Sequence, residues 1–432
     1  MFDYLDALAY LETRSDYART GRVTDPSLDK MRRLMHFSAE PQTAYPVIHI
    51  TGTNGKGSVT QMVTRLLMAH GLTVGTITSP HLHRPNERMS RDGRPIDDDE
   101  FAEQIGAVAN LERAADIHAS YFEITVAAAY RWFADTAIDV AVVEVGMLGT
   151  WDATNVANGQ VAVVTNVDWD HAQFAGDSLL AIATEKAGIV KPGSSLVLGV
   201  TQPELQVPFR SAGAAAVYAR DDDFSCESNE LALGGRLVDL RTPTSIYTGT
   251  FVPMHGGYQG DNAAVALTAA ETFFDQPLPQ EVVTEGFAGV RWPGRFEVLG
   301  HQPLVIVDGA HNPHGADACA NVFESDFDPA GRRILVAGFL SSQNPSAMLS
   351  ALRADRADLV VCCTPPTGRA ITATETAAAA RALGCDNVVV VPDIAAACDR
   401  AIDGADGDDA ILVTGSLYLV GEARAHLRRK LR

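Results

Sequence analysis

Between residues 47 and 220, short apolar runs rich in valine and isoleucine recur at intervals that leave room for a helix: "VIHIT", "TVGTIT", "DVAVVEV", "VAVVTNV", "SSLVLGV" and "AAVYAR". Runs of this length bounded by polar residues predict strands, and the intervening amphipathic segments predict helices. Strands alternating with helices imply a mostly parallel sheet covered on both faces. Residues 227–251 are more polar and predict an antiparallel excursion, followed by a helix from Asp261. The segment "RWPGRFEVLG" then breaks the pattern with Pro293 and Gly294. After it the alternation restarts in "PLVIVDGAHN", "RILVAGF", "DLVVCCTPP", "NVVVVPD" and "AILVTGS", each followed by a helical stretch, the third by the Ala-rich "TATETAAAARAL". That predicts a second open α/β domain of about five strands, with the boundary near Arg295.

Ligands of such sheets bind at the carboxyl ends of the strands, so the residues just after each apolar run are the ones to read for chemistry. The first run leads into "TGTNGKGS" at 51–58. This is not the usual P-loop text: Gly52 stands only three positions before Gly55-Lys56, and Gly57 separates the lysine from Ser58. The physical requirements are still met, with glycines for close backbone approach, a helix N-terminus, a lysine and a hydroxyl suited to Mg²⁺. An ordinary Gly-rich turn is the plain alternative. Lysine usage favours the phosphate reading, because the chain has lysine only at Lys30, Lys56, Lys186, Lys191 and Lys430 among its 34 basic residues. A compact ammonium differs from a planar guanidinium at a phosphate.

The other strand ends of the first domain carry Ser79 and His81, Glu144, and then Asp168, Asp170 and His171. A hydroxyl, a carboxylate and an imidazole beside a triphosphate suit Mg²⁺, which takes few protein groups. A carboxylate ending an apolar strand is costly to bury without a partner, which marks Glu144. His81 and His83 read as solvated loop histidines, and Lys186 in "TEKAGIVKPG" reads either as functional or as a surface ion pair with Glu185. In the second domain Asp308 and His311 follow a strand, Asp308 being also a fair helix N-cap.

Composition narrows the class. At 432 residues, 46% hydrophobic and 20% charged, the chain is long enough for two soluble domains. A net charge of −20 disfavours nucleic acid or an anionic membrane as partner, without forbidding a locally built anion site. The six cysteines form no C-x-x-C pair, so zinc and disulfides are not expected, and Cys362 and Cys363 read as buried small residues. The N-terminal run contains acidic residues and no basic stretch, and no run reaches membrane length, so a cytoplasmic enzyme is expected; a monomer is the expected state.

Taken in order, "TGTNGKGS", "TSPHL…NER", "VEVG…DATN", "DH…GD…EKAGIVKPG", "GYQGDNAAVA", "PGRFEV", "DGAHNP" and "VTGSLYLVGE" resemble the folylpolyglutamate synthase/dihydrofolate synthase family of the Mur ligase superfamily. The resemblance spans nearly the whole chain and implies an N-terminal P-loop-type parallel-sheet ATPase domain, 1–295, plus a C-terminal Rossmann-like α/β domain, 296–432. It implies an ATP-dependent, ADP-forming amide ligase that adds L-glutamate to a folate or dihydropteroate carboxylate. By the same resemblance Asn54, Gly55, Lys56, Gly57 and Ser58 cradle phosphate, and Ser58, Ser79, Glu144 and His171 hold Mg²⁺. Lys186 matches a lysine that is carbamylated in the family, and with Lys56 and His171 it makes the catalytic set. Asn262, Arg295, Asp308 and His311 fall to the nucleotide, and Arg84, Phe122 and Asp152 to the pteridine.

Two departures stand out. Where the family reads "VEVGxGGRxDATN" this chain has Leu148 for a glycine and Thr150 for the arginine, and Gln343-Asn344 replace a Lys-Asp pair. Both remove charge or flexibility near the expected cleft and leave the phosphate and metal groups untouched, which points to altered substrate handling. A Mur-type ligase for another carboxylate and a non-catalytic nucleotide-binding paralogue are the competing readings.

Overall fold

The structure, a computed structural model, describes residues 2–15, 27–169 and 172–431. These fall into two compact units: the described residues up to 253 with Tyr258–Arg291, and Met254–Gly257 with Trp292–Arg432.

The first unit is built on β1 (Val47–Thr51), β2 (Val74–Ile77), β3 (Met89–Arg91), β4 (Arg94–Pro95), β5 (Val140–Glu144), β6 (Val161–Val164), β7 (Ser195–Leu198) and β8 (Ala216–Ala219), in the spatial order β4-β3-β2-β5-β1-β6-β7-β8. The six predicted strands are all present and pair in parallel, while β3 and β4 add an antiparallel edge that the apolar pattern does not announce. Those two strands are too short and too polar to carry a period; β3 pairs with the edge of β2 and β4 with β3. Strand β1 is buried along its whole length, as a central parallel strand covered on both faces must be.

The helix Lys56–Ala69 that follows β1 is buried over most of its surface and packs against the helix Tyr258–Phe274. In that second helix Ala263, Ala264, Ala266, Ala269 and Ala270 are all at 0% exposure, and their small side chains let the helices approach closely. The polar excursion is a separate antiparallel sheet of β9 (Ser225–Ala232), β10 (Gly235–Arg241) and β11 (Ile246–Val252), joined by tight turns. It is fastened to the helix Tyr258–Phe274 by Glu271, which is 4% exposed. The Glu271 carboxylate accepts hydrogen bonds from the Tyr247 hydroxyl, the Thr244 hydroxyl at 2.9 Å and the Leu278 N–H at 3.2 Å.

The second unit has six strands, one more than the pattern predicts: β12 (Glu297–His301), β13 (Leu304–Asp308), β14 (Arg333–Ala337), β15 (Leu359–Cys362), β16 (Val388–Val390) and β17 (Ala410–Thr414), in the order β12-β13-β17-β14-β15-β16. The extra strand, β12, lies in the segment that reads as a break and pairs antiparallel with β13. Its alternation is interrupted by a register shift at Val298 and Gly300, which hides it from a period-two reading. Cys362 and Cys363 are both fully buried and all six cysteines are free thiols. Among the described residues no helix is long and apolar enough to cross a membrane.

Replacing Glu271 by alanine removes the acceptor of the buried Leu278 N–H and one of the two acceptors near the buried Tyr247 hydroxyl, together with the partner of the exposed Thr244 hydroxyl. Glu271→Ala is expected to destabilise the first unit by about 2 kcal/mol. Urea unfolding followed on that unit checks this, and a midpoint equal to the parent's would show that the network carries no weight.

Candidate active site

Strands β2, β5, β1 and β6 are neighbours, so their carboxyl ends form one row that carries Ser79, Glu144, the 52–58 loop and the segment 165–168. The chain leaves β1 for one side of it and returns to the other, which makes this row the switch point where open α/β sheets bind ligands. Four of the predicted positions are therefore brought together by strand order alone.

The loop after β1 is shaped by what surrounds it. Gly52 has φ +153°, and a Cβ there would lie 1.8 Å from the Thr165 hydroxyl. Gly55 has φ +81° and its back is covered by Asn262, whose Oδ1 would be 2.7 Å from a Cβ. The Asn166 carboxamide oxygen accepts the N–H groups of Thr53 at 3.1 Å and Asn54 at 2.9 Å, and the Thr165 hydroxyl donates to the Asn54 carbonyl at 2.6 Å. The Thr53 and Asn54 amides are thus held by the residues that follow β6. The helix begins at Lys56 itself, with Gly55 as N-cap and no side-chain cap bond, so no capping side chain takes its first-turn N–H groups, which are donors of the kind an anion can use. Lys56 Nζ donates to the carbonyls of Gly52 at 2.9 Å and Thr53 at 3.1 Å, which places its ammonium over the loop. Ser58 is 7% exposed in that first turn. Asn262 donates to Gln259 Oε1 at 2.9 Å, and Gln259 is buried at 2%.

Beside the loop, the Ser79 N–H donates to Glu144 Oε2 at 3.2 Å, so Ser79 and the carboxylate are adjacent, and Glu144 is 4% exposed. One carboxylate with hydroxyls is the donor set that Mg²⁺ accepts when phosphate oxygens and water complete the shell. Among the described residues no three His, Cys, Asp or Glu side chains cluster as a metal cage. His171 and Asp170 lie outside the described residues. His81 is not a solvated loop histidine: it is half-buried, and its Nδ1 accepts from Arg88 Nε at 2.8 Å. Burial, then the charge of Arg88, holds its pKa down. His83 is exposed.

The segment 146–155 is a knot of hydrogen bonds. The Asp152 carboxylate, 4% exposed, accepts the N–H groups of Met147 at 2.8 Å and Thr154 at 3.0 Å together with the Thr154 hydroxyl. Burial raises its pKa against the pull of those donors. Since the Thr154 hydroxyl donates to Asp152, His49 Nε2, 2.9 Å from the same oxygen, must donate to it. His49 is fully buried, and burial lowers its pKa to about 3. Asn155 donates to the carbonyls of Thr150 and Gly188, both at 3.0 Å, and receives Lys191 Nζ at 2.7 Å on its own carboxamide oxygen. Phe122 lies over Gly146, where a Cβ would stand 2.5 Å from its ring and 3.1 Å from the Asp152 carboxylate, so Phe122 and Asp152 share one wall. Arg84 is about half exposed, pairs with Asp98 at 2.6 Å and lies 4.9 Å over the Tyr4 ring.

This knot is pressed on the helix Leu179–Ala187. The N–H and hydroxyl of Thr150 both donate to the Glu185 carbonyl at 3.0 Å. Lys186 is 1% exposed, which rules out a surface ion pair as its explanation. Leu148, where the resemblance expects glycine, keeps a left-handed backbone with φ +57°, and its carbonyl accepts the Thr51 hydroxyl at 2.6 Å. Its side chain is 2% exposed in a core cluster with Val145, Val164 and Ile182.

In the second unit the motifs around 295 and 308 are stitched together. Phe296 N–H donates to Asp308 Oδ2 at 3.0 Å, Arg295 Nη1 to the Gly309 carbonyl at 3.1 Å, and His311 Nδ1 lies 3.0 Å from that carbonyl. Asp308 is not an N-cap; Asn312 caps the helix Pro313–Val322, and Asp308 instead accepts the Ala310 N–H at 2.9 Å. Burial raises the Asp308 pKa, opposed by Arg295.

Sequence reasoning passed over Asn166, Gln259 and His49. Asn166 was within reach, since it stands just past the end of β6, but an amide carries no charge to mark it. His49 lies in mid-strand, where an imidazole reads as filler.

Two outcomes are expected. Leu148→Gly relieves left-handed strain of roughly 1 kcal/mol but removes a buried side chain, so it should destabilise by about 2 kcal/mol net; a gain in melting temperature would reverse that balance. His49 is neutral when folded and titrates near 6.5 when unfolded, so unfolding takes up a proton between about pH 3 and 6.5 and stability must fall as pH drops through that window. A His49→Gln variant should lose this component, seen as a flatter denaturation midpoint between pH 7 and pH 5.

Comparison with known proteins bears on the family and the fold. Residues 50–270 match the Mur ligase middle domain and residues 294–417 the Mur ligase glutamate ligase domain. A Mycobacterium tuberculosis dihydrofolate synthase/folylpolyglutamate synthase is 37% identical over 98% of this chain and 94% of its own. The solved structure of Mycobacterium tuberculosis folylpolyglutamate synthase complexed with ADP superposes with a TM-score of 0.90 at 34% identity, covering 99% of both chains. A bifunctional folylpolyglutamate synthase/dihydrofolate synthase with Mn, AMPPNP and L-glutamate bound gives 0.86 at 28% identity, over 98% of both chains. The chain belongs to the folylpolyglutamate synthase/dihydrofolate synthase family of Mur ligases.

Proposed function

We propose that this protein joins the amine of L-glutamate to the carboxylate of a folate or of dihydropteroate, using ATP through an acyl phosphate. The observation that carries the reading is the phosphate loop at the end of β1 with Glu144 and Ser79 at the adjoining strand ends. A carboxylate is a poor acyl donor until its oxygen is phosphorylated, and what the catalyst must do is offset charge on the transferred phosphoryl group. The first-turn amides of the helix at Gly57 and Ser58, with the Lys56 ammonium, face that charge. Asn54 acts through its place in the loop, because its own amide is held by Asn166.

Ser58, Ser79, Glu144 and His171 are the groups we assign to Mg²⁺, which when bound would neutralise phosphate oxygens. Lys186, buried in the helix beside the 146–155 knot, is the lysine we assign to carbamylation, which would convert its amine into an anionic carbamate. Phe122, Asp152 and Arg84 are assigned to the pteridine side, and Asn262, Arg295, Asp308 and His311 to the nucleotide. The acyl phosphate is then attacked by the glutamate amine, the C–O bond to phosphate breaks, and amide, ADP and phosphate result. A cytoplasmic monomer fits this role.

The test is ADP release by the purified chain with Mg²⁺, ATP and glutamate, comparing dihydropteroate, tetrahydrofolate and no acceptor. Release should require both acceptor and glutamate, and Lys56→Ala should lower it roughly 10²- to 10³-fold. Turnover that ignores both acceptors would overturn the substrate assignment.

A further inference from the structure

Three loops at the carboxyl edge of the second sheet converge on one side chain, Gln343, that the sequence marks only as a departure from the family pattern. Strands β13, β17 and β14 are neighbours in that sheet, and their following loops carry His311, Gly415 and Leu340. Gln343 Nε2 donates to the His311 carbonyl at 2.7 Å and to the Gly415 carbonyl at 2.9 Å. Its Oε1 accepts the Leu340 N–H at 2.5 Å, and its own N–H donates to the Leu340 carbonyl at 2.9 Å. The amide's two donors and its acceptor are all engaged, each on a different strand end.

The turn it holds has little freedom. Gly415 has φ +120°, and a Cβ there would meet the Gly338 carbonyl at 2.6 Å and the Phe339 ring at 2.8 Å. On the other side His311 Nδ1 lies 3.0 Å from the Gly309 carbonyl, so the His311 segment is tied by its ring and by its main chain. Asn344 acts separately, since its carboxamide caps the helix Pro345–Ala351 by accepting the Ala347 N–H at 3.1 Å, which aspartate would do as well. Only at 343 does the exchange matter. Lysine has donors for the two carbonyls but no acceptor for the Leu340 N–H, and glutamate has the acceptor but would set negative oxygens against two carbonyls.

We infer that Gln343 is a positioning residue, a neutral three-point clamp that fixes the main chain carrying His311 and the Gly415 turn where the family pattern has a lysine. The inference rests on the ligase reading above, in which His311 serves the nucleotide. Because the clamp acts on backbone geometry, its loss should lower turnover more than it lowers stability.

The experiment compares full-length Gln343→Glu, Gln343→Met, Gln343→Lys and Asn344→Asp with the parent in kcat and KM for ATP and glutamate, with melting temperature and amide exchange at Leu340 measured on the same samples. Gln343→Glu and Gln343→Met should each lose about tenfold in kcat. Gln343→Lys, which keeps both donors, should restore kcat to within about threefold of the parent while Leu340 exchanges about tenfold faster. Asn344→Asp should match the parent. Parental kcat in folded Gln343→Met, or unchanged Leu340 exchange in Gln343→Lys, overturns the clamp. If Gln343→Glu fails to fold, the methionine variant, uncharged and of similar size, decides. A parent chain with no glutamate-dependent ADP release overturns the ligase reading instead, and the Leu340 exchange then still decides the clamp.

Discussion

The central place of β1 between β5 and β6 is the constraint on which the rest of the first unit depends. In that register Ile50 lies beside Glu144 and Thr51 beside Val164, so the loop leaving β1 has a carboxylate on one side and the Thr165-Asn166 pair on the other. Parallel pairing leaves no choice about which ends meet: every loop at the carboxyl edge faces the same way, and side chains from four distant parts of the chain become neighbours. The same loop at an edge strand would have had one such wall only.

The loop's conformation is then maintained by groups outside the loop itself. Asn166 and Thr165 hold the Thr53 and Asn54 backbone, and Asn262 covers Gly55. The Thr51 hydroxyl ties β1 to the Leu148 carbonyl. The same economy governs the "DATN" segment, where Asp152, Thr154 and Asn155 satisfy one another, His49 and Lys191. Such networks are rigid because nearly all their polar groups are engaged; the exception is His49 Nδ1, which is buried without a hydrogen-bond partner. This is why Leu148 can keep a left-handed backbone in place of glycine: its carbonyl is fixed by Thr51 and its side chain is buried, which together offset the strain.

Several parts of this were legible in the chain. The six parallel strands of the first sheet follow from apolar runs that need no partner to be recognised, and the glycine loop announces itself through Gly52, Gly55 and Lys56. The family follows from eight motifs in order. What escaped has a common character. Strands β3 and β4 are short and polar, and β12 is bulged, so none of them carries a period. Asn166, Gln259 and His49 are residues whose use is a hydrogen bond to a partner that no local pattern encodes. His81 looked solvated because its partner Arg88, though only seven residues on, turns inward along β3's approach.

The sequence by itself determined most of the strands and helices, that there are two α/β units, and where the glycine-rich loop with its lysine falls, since these rest on local periodicity, glycine and charge. Tertiary structure alone decided which strand ends meet, which carboxylates are buried, and that Gln343 joins three loops. Strand order and hydrogen-bond pairing are properties of the folded sheet, set by contacts between residues far apart in the chain, and a one-dimensional pattern holds no record of them.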